Sequence, residues 1–364
     1  MTSLPRDANA QQTWNNVTSS KNWSNNASTW NGSDWWANPN GLLVFGSSGS
    51  GNVTNNMTDW LNFNGIVFNS GAASFTISGN SIGLTNNGNI PKIENNSANT
   101  QTISLGNISL KNVSEFNAIN GDLVFNSANV YLDSDLRFWG DNGKTNWMNT
   151  VIANGGTLAI QQNSTVVFQK TNTYTGQTYI HGGQLIISNA ARAGTGTINL
   201  GGTNLAGVSL TNAFYLGMAS SSGGVTNTNA ININASGGAS SLGGNNTSGI
   251  NELSGPITLN QGVTFRQAGG GTLIASGVIS GANAVTNAGS GTLVLSGNNT
   301  FSGAMAINAG VVRISHANGL GGTGGSTTVA GIRSAVATAL DEGADSPSIR
   351  SLLQDWADRQ KLVL

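Results

Sequence analysis

The chain has 364 residues, a formal net charge of −1 and no cysteine, and only 8% of its residues are charged, against about 25% in an ordinary globular domain. That balance leaves no field to attract nucleic acid or an acidic membrane, and it removes disulfides, zinc–thiolate sites and thiol catalysis. The 51 glycines and 52 asparagines favour tight corners, yet 38% of the chain is hydrophobic, too much for a disordered polar linker.

From the N-terminus, Ala8-Asn9-Ala10 before Gln11 reads either as the small-residue end of a secretory signal or as a chance match. No run of 18 or more apolar residues follows, so no membrane-spanning helix is expected. Six of the nine tryptophans fall in the first 60 residues: Trp14, Trp23, Trp30, Trp35, Trp36 and Trp60. Residues 1–60 are therefore read as a tryptophan-rich cap over the first coils, with rings plugging the core. The rival reading is a sugar-stacking platform, with Trp30, Trp35 and Trp36 as carbohydrate-binding candidates.

Residues 61–330 read as a shaft of short strands. Ten acids lie in 1–330, and the densest group is Asp133, Asp135 and Asp141, with Arg137 and Lys144 among them. Asp133 and Asp135 alternate with Leu132, Ser134 and Leu136, which would put both carboxylates on one strand face. That is a candidate Ca²⁺ or sugar site, and the place where a polysaccharide-active enzyme would keep its acids. The plain alternative is a solvated loop with local charge pairing. His181 and His316 have no nucleophile or acid at triad spacing and read as polar corner residues.

Internal repetition is the dominant signal. Asn172-Thr173-Tyr174-Thr175-Gly176 returns as Asn299-Thr300-Phe301-Ser302-Gly303, and the match runs on without a gap through Ile180 and Ile307, Gly183 and Gly310, Leu185 and Val312, Ile187 and Ile314. Gly155-Gly156-Thr157-Leu158, Gly270-Gly271-Thr272-Leu273 and Ser290-Gly291-Thr292-Leu293 form a second set of copies. The last two are one short period apart, as in a solenoid of roughly 20–25 residues per coil. Leu293 and Leu295 alternate with Thr292, Val294 and Ser296, the period of 2 of a strand with one face on a core. Coils stacked in this way satisfy their backbones along the axis, and asparagines at corners can form amide ladders.

The stretch Gly289-Ser290-Gly291-Thr292-Leu293-Val294-Leu295-Ser296-Gly297-Asn298-Asn299-Thr300-Phe301-Ser302-Gly303, with Ile307, Gly310, Val312 and Ile314, resembles the autotransporter-associated β-strand repeat of bacterial passenger domains. A degenerate copy covers about 155–188. The N-terminal part, with Trp14, Asn22-Trp23-Ser24 and Phe75-Thr76-Ile77-Ser78-Gly79, is similar to the leader region of such proteins. The resemblance implies an exported β-helical passenger and no particular reaction. Passengers of this kind normally continue into a membrane β-barrel, and no barrel pattern follows here.

After residue 330 the composition changes: residues 331–364 hold no asparagine, two glycines and nine charged side chains. Ser346-Pro347 is a helix start, and Ile349, Leu352, Leu353 and Trp356 fall on one face at i, i+3, i+4 and i+7. These four residues are the capping or oligomerisation candidates. A cap on the last coil, a docking segment and a tail foreign to the repeat are the three readings of this segment.

The expectation is an all-β, right-handed parallel β-helix with a short C-terminal helical segment. It is read as a secreted or cell-surface structural or adhesive element without cofactor or catalysis. Possible partners are further copies of itself or a cell-surface glycan, with no nucleic acid and no membrane span. A carbohydrate-binding module and a polysaccharide-active enzyme are the alternatives.

Overall fold

The computed structural model describes residues 11–14, 22–23, 30–31, 41–47, 49–140, 143–188, 192–202, 213–219, 224–236, 238–322 and 324–329. The predicted helical segment at 331–364 lies outside the described residues. Every regular element among the described residues is a strand, two to six residues long. The chain divides into two compact units, Met1–Ile198 and Asn199–Leu364.

The first unit is a parallel β-solenoid with three strand faces. On the first face, Leu43, Ile66, Ile93, Phe116, Phe138, Ile160 and Ile180 stand in unbroken register. All seven are buried. On the second face the same holds for Val53, Ile77, Ile103, Phe125, Met148, Phe168 and Ile187. The third face begins at Leu61–Phe63 and ends at Val151–Ala153, with Ile82, Ile108, Val130 and Ile152 in its inner column. The alternation seen in the sequence produces these columns. Each strand turns one side chain in two inward, and parallel pairing sets like on like in successive turns. One antiparallel pair joins Gln11–Trp14 to Trp30–Asn31.

The second unit repeats this construction. Ile231, Ile257 and Ile279 form one column; Leu216, Leu242 and Phe265 a second; Leu253, Ala275, Leu295 and Ile314 a third.

Turn length is not constant. Ile77 pairs with Ile103 twenty-six residues on, Ile103 with Phe125 after 22, and Thr165 with Gln184 after 19. The 22-residue turn is shortened at its corners, and the 19-residue turn lacks a strand on the third face; the remaining columns stay in register. Amide ladders are present as single rungs. Asn129 Nδ2 donates to Asn107 Oδ1 at 2.9 Å, Asn149 to Asn126 at 2.8 Å and Asn318 to Asn298 at 2.8 Å.

Candidate functional site

Two places gather side chains with more than a packing role. The first is the repeated motif, whose two copies make the same asparagine side-chain bonds. Asn172 lies at the corner after Thr165–Phe168; its Oδ1 accepts the Ile152 N–H at 2.8 Å and its Nδ2 donates to the Arg192 carbonyl at 2.8 Å. Asn299 follows Thr292–Leu295; its Oδ1 accepts the Ile279 N–H at 2.9 Å and its Nδ2 donates to the Gly319 carbonyl at 2.7 Å. In both copies the partners lie 20 residues before and 20 after. One buried amide therefore ties three successive turns together.

The residues that follow complete the clamp. Thr173 and Tyr174 both donate to the Ile152 carbonyl, and Thr300 and Phe301 both donate to the Ile279 carbonyl. The aromatic ring then enters the core, where Tyr174 and Phe301 are both fully buried. At the closing glycine there is no room for a side chain: a Cβ on Gly176 would overlap the Gly156 carbonyl, and one on Gly303 the backbone of Asn283. Twenty residues beyond the aromatic, Gly194 and Gly321 adopt positive φ and lie directly against the Tyr174 and Phe301 rings. The copies differ in the asparagine N–H, which goes to the Arg192 carbonyl in one and the Gly297 carbonyl in the other, and in one coupled pair of side chains. The Tyr174 hydroxyl and Thr178 Oγ1 share a hydrogen bond of 2.6 Å, whereas the matching positions hold Phe301 and Met305, which have no hydroxyl to share.

The second place surrounds Asp133. Asp133-Ser134-Asp135 falls in the corner between strands Asn129–Tyr131 and Leu136–Gly140, not on a strand, and the two carboxylates go to separate partners. Asp135 Oδ1 accepts the Thr157 N–H of the next turn at 2.9 Å. Asp122 treats Thr145 likewise at 3.0 Å, and Asp59 treats Ser81 at 2.8 Å. This corner-aspartate clamp was not read from the sequence, although each pair is 22 or 23 residues apart.

Asp133 instead accepts only from side chains: Ser109 Oγ at 2.5 Å, Lys111 Nζ at 3.0 Å and Asn154 Nδ2 at 2.7 Å. Partial burial pushes its acid up, but these three donors and the Lys111 charge outweigh that and hold it below the usual carboxylate range. These four residues, with Trp60 and Tyr131, line a shallow groove of about 260 Å³ on the first unit.

The remaining candidates are dispersed. Trp14 and Trp23 are buried, Trp14 beside Phe45 with centroids 5.7 Å apart and Trp23 edge-on to Phe63 at 5.6 Å. Both rings lie in the core. Trp30 stands opposite Trp14 in the antiparallel pair. Trp35, Trp36, Asp141, Ile349, Leu352, Leu353 and Trp356 lie outside the described residues. Among the described residues, no group of three or more His, Asp or Glu is placed to hold a metal ion. His181 is a corner residue, but 1% exposed, and burial pushes its imidazole down to about 4. His316 accepts the Asn318 N–H at Nδ1, 3.0 Å away.

Comparison with known proteins agrees with the motif geometry. The model of the passenger-associated-transport-repeat family matches residues 163–187 and 285–314, the two segments that carry the clamps. A repeat of this family implies an exported protein. No curated protein and no solved structure matches the chain.

Proposed function

We propose, from a chain that carries the passenger-associated transport repeat of autotransporter passengers twice, that this protein is a structural or adhesive β-solenoid displayed outside a bacterial cell. One observation carries the reading. Every distinctive residue of both repeats bonds or packs against neighbouring turns, with Asn172 and Asn299 each joining three turns. Residues committed to neighbouring backbone are suited to holding a stack of turns and are unavailable for turnover of a substrate. The corner aspartates Asp59, Asp122 and Asp135 serve the same end.

Protease treatment of intact cells producing the protein tests this. Surface display predicts cleavage without lysis; cleavage only after lysis contradicts it. Turnover of a polysaccharide that disappears in Asp135→Ala would contradict the non-enzymatic reading.

A specific feature favours self-association. On the second unit an outward column runs Ile250, Thr272, Thr292, Val311, and beside it Glu252, Ile274, Val294, Arg313. Ile250 and Val311 are 54% and 58% exposed. A two-fold pairing of this face with a second copy reverses the columns, and so sets Glu252 of each copy against Arg313 of the other. Sedimentation should show dimers that disappear in Val311→Lys and in high salt; monomers at all concentrations contradict the pairing.

A further inference from the structure

We infer that the groove around Asp133 is a binding subsite for one ring of a neutral hexose polymer. Trp60 and Tyr131 line it side by side, centroids 6.2 Å apart and planes tilted by 39°. Their faces present apolar area to the C–H face of a pyranose. The floor beside them is low because the outward column in register there is Asn62, Gly83, Ser109, Tyr131. Gly83 has no side chain, and Ser109 is 2% exposed.

At the other end are fixed polar groups. Asp133 stays ionised and, with three donors already bound, keeps acceptor capacity for a ligand hydroxyl. Lys111 donates one hydrogen bond to Asp133 and has further N–H groups to donate. The pair leaves no net charge in the groove, which selects hydroxyls over carboxylates or phosphates.

Backbone strain is the independent observation. Among the described residues three non-glycine residues have positive φ, and two of them, Trp60 at 66° and Asn154 at 76°, line this groove. Asparagine tolerates that conformation; a bulky aromatic does not adopt it without cause. Trp60 is held there by its N–H on the Ser81 carbonyl and by the Asp59 carboxylate on the Ser81 N–H, both at 2.8 Å. The result is an indole 44% exposed where a core strand begins. Strain retained at one outward-facing ring points to a ligand. The volume, about 260 Å³, is below the range of about 300–1,000 Å³ of enclosed small-molecule pockets. That suits one residue of a polymer whose neighbours lie in solvent. The subsite stands on this geometry and does not depend on export or on self-association, which the protease and sedimentation experiments read separately.

Affinity electrophoresis of the full chain through native gels containing a β-glucan, a mannan or a galactomannan tests it, with polygalacturonate as the acidic polymer. Retardation by at least one neutral polymer is expected. It should weaken roughly fivefold or more in Trp60→Gly and in Tyr131→Ala, and hold in Tyr215→Ala, which alters the second unit. Glycine adopts the Trp60 conformation without strain, so Trp60→Gly should melt no lower than the parent, which separates lost binding from lost folding. Retardation by none of the neutral polymers, retardation only by polygalacturonate, or retardation that survives both Trp60→Gly and Tyr131→Ala would overturn the proposal.

Discussion

Asn172 and Asn299 each satisfy one buried N–H and one carbonyl of neighbouring turns. Alanine at 299 leaves the Ile279 N–H and the Gly319 carbonyl without their partner, and alanine at 172 leaves the Ile152 N–H without its partner, while the Arg192 carbonyl keeps the N–H of residue 172; the cost is about 2–4 kcal/mol at 299 and about 1–3 kcal/mol at 172. Chemical denaturation of Asn172→Ala and Asn299→Ala should show these losses, the larger at 299, whereas Asn298→Ala, at an exposed neighbouring rung, should lose less than about 1 kcal/mol. Tyr174 and Thr178 share a buried hydroxyl bond where the other repeat has Phe301 and Met305. Tyr174→Phe alone leaves Thr178 without its partner and should cost about 1 kcal/mol; Tyr174→Phe with Thr178→Met reproduces the other copy's pair and should recover most of it. His181 gives a pH signature. Its imidazole is held neutral by burial, with a folded pKa of about 4 against an ordinary 6.5. Between those values the unfolded chain takes up a proton that the folded chain refuses. Stability is therefore full above about pH 6.5, falls as pH drops, and levels off below about 4, with a total loss of about 3 kcal/mol. Urea titrations at pH 7 and 4.5 should show this for the parent and much less of it for His181→Asn, which takes the residue found at the matching position 308.

The repeat as an element is one 19-residue turn: Thr165 returns to register at Gln184 and Thr292 at Val311. It is shorter than the 26-residue turn from Ile77 to Ile103 because the asparagine corner and buried aromatic replace a third strand. Such a corner fits only if the backbones of adjacent turns touch at the closing glycine. Gly303→Ala places a Cβ in the backbone of Asn283 and should destabilise the second unit by about 3 kcal/mol or more, since the main chain on both sides must move. The melting temperature of Gly303→Ala against Ser302→Ala, an exposed neighbour, measures this. The clamp explains why these elements were legible in the sequence: aromatic, glycine and asparagine sit at fixed offsets set by the turn, and both copies keep them.

At the scale of each unit, the inward columns follow from alternation, so the all-β stacked architecture was readable before any coordinates. Outward neighbours were not. Tyr131 meets Trp60 only because the turns between them have particular lengths, and those lengths vary from one turn to the next. Proximity in sequence gathered Asp133, Asp135 and Asp141 into one candidate; the corner sends Asp133 to Lys111 and Asn154 and Asp135 to Thr157. Tryptophan density at the N-terminus marked core rings, Trp14 and Trp23, as readily as the exposed Trp60, because composition does not distinguish inward from outward. His181 shows the same limit: a polar residue at a corner is read as solvated, yet this corner is covered.

A single asparagine in each repeat holds three turns, and amide hydrogen exchange on the second unit tests this directly. In Asn299→Ala, protection should fall together at Ile279, at Thr300 and Phe301, and at Gly321 and Gly322, which belong to three successive turns. The Ile231 and Ile257 amides, further down the stack, should keep theirs. Loss confined to the turn that contains residue 299, or no loss at Ile279, would contradict the account.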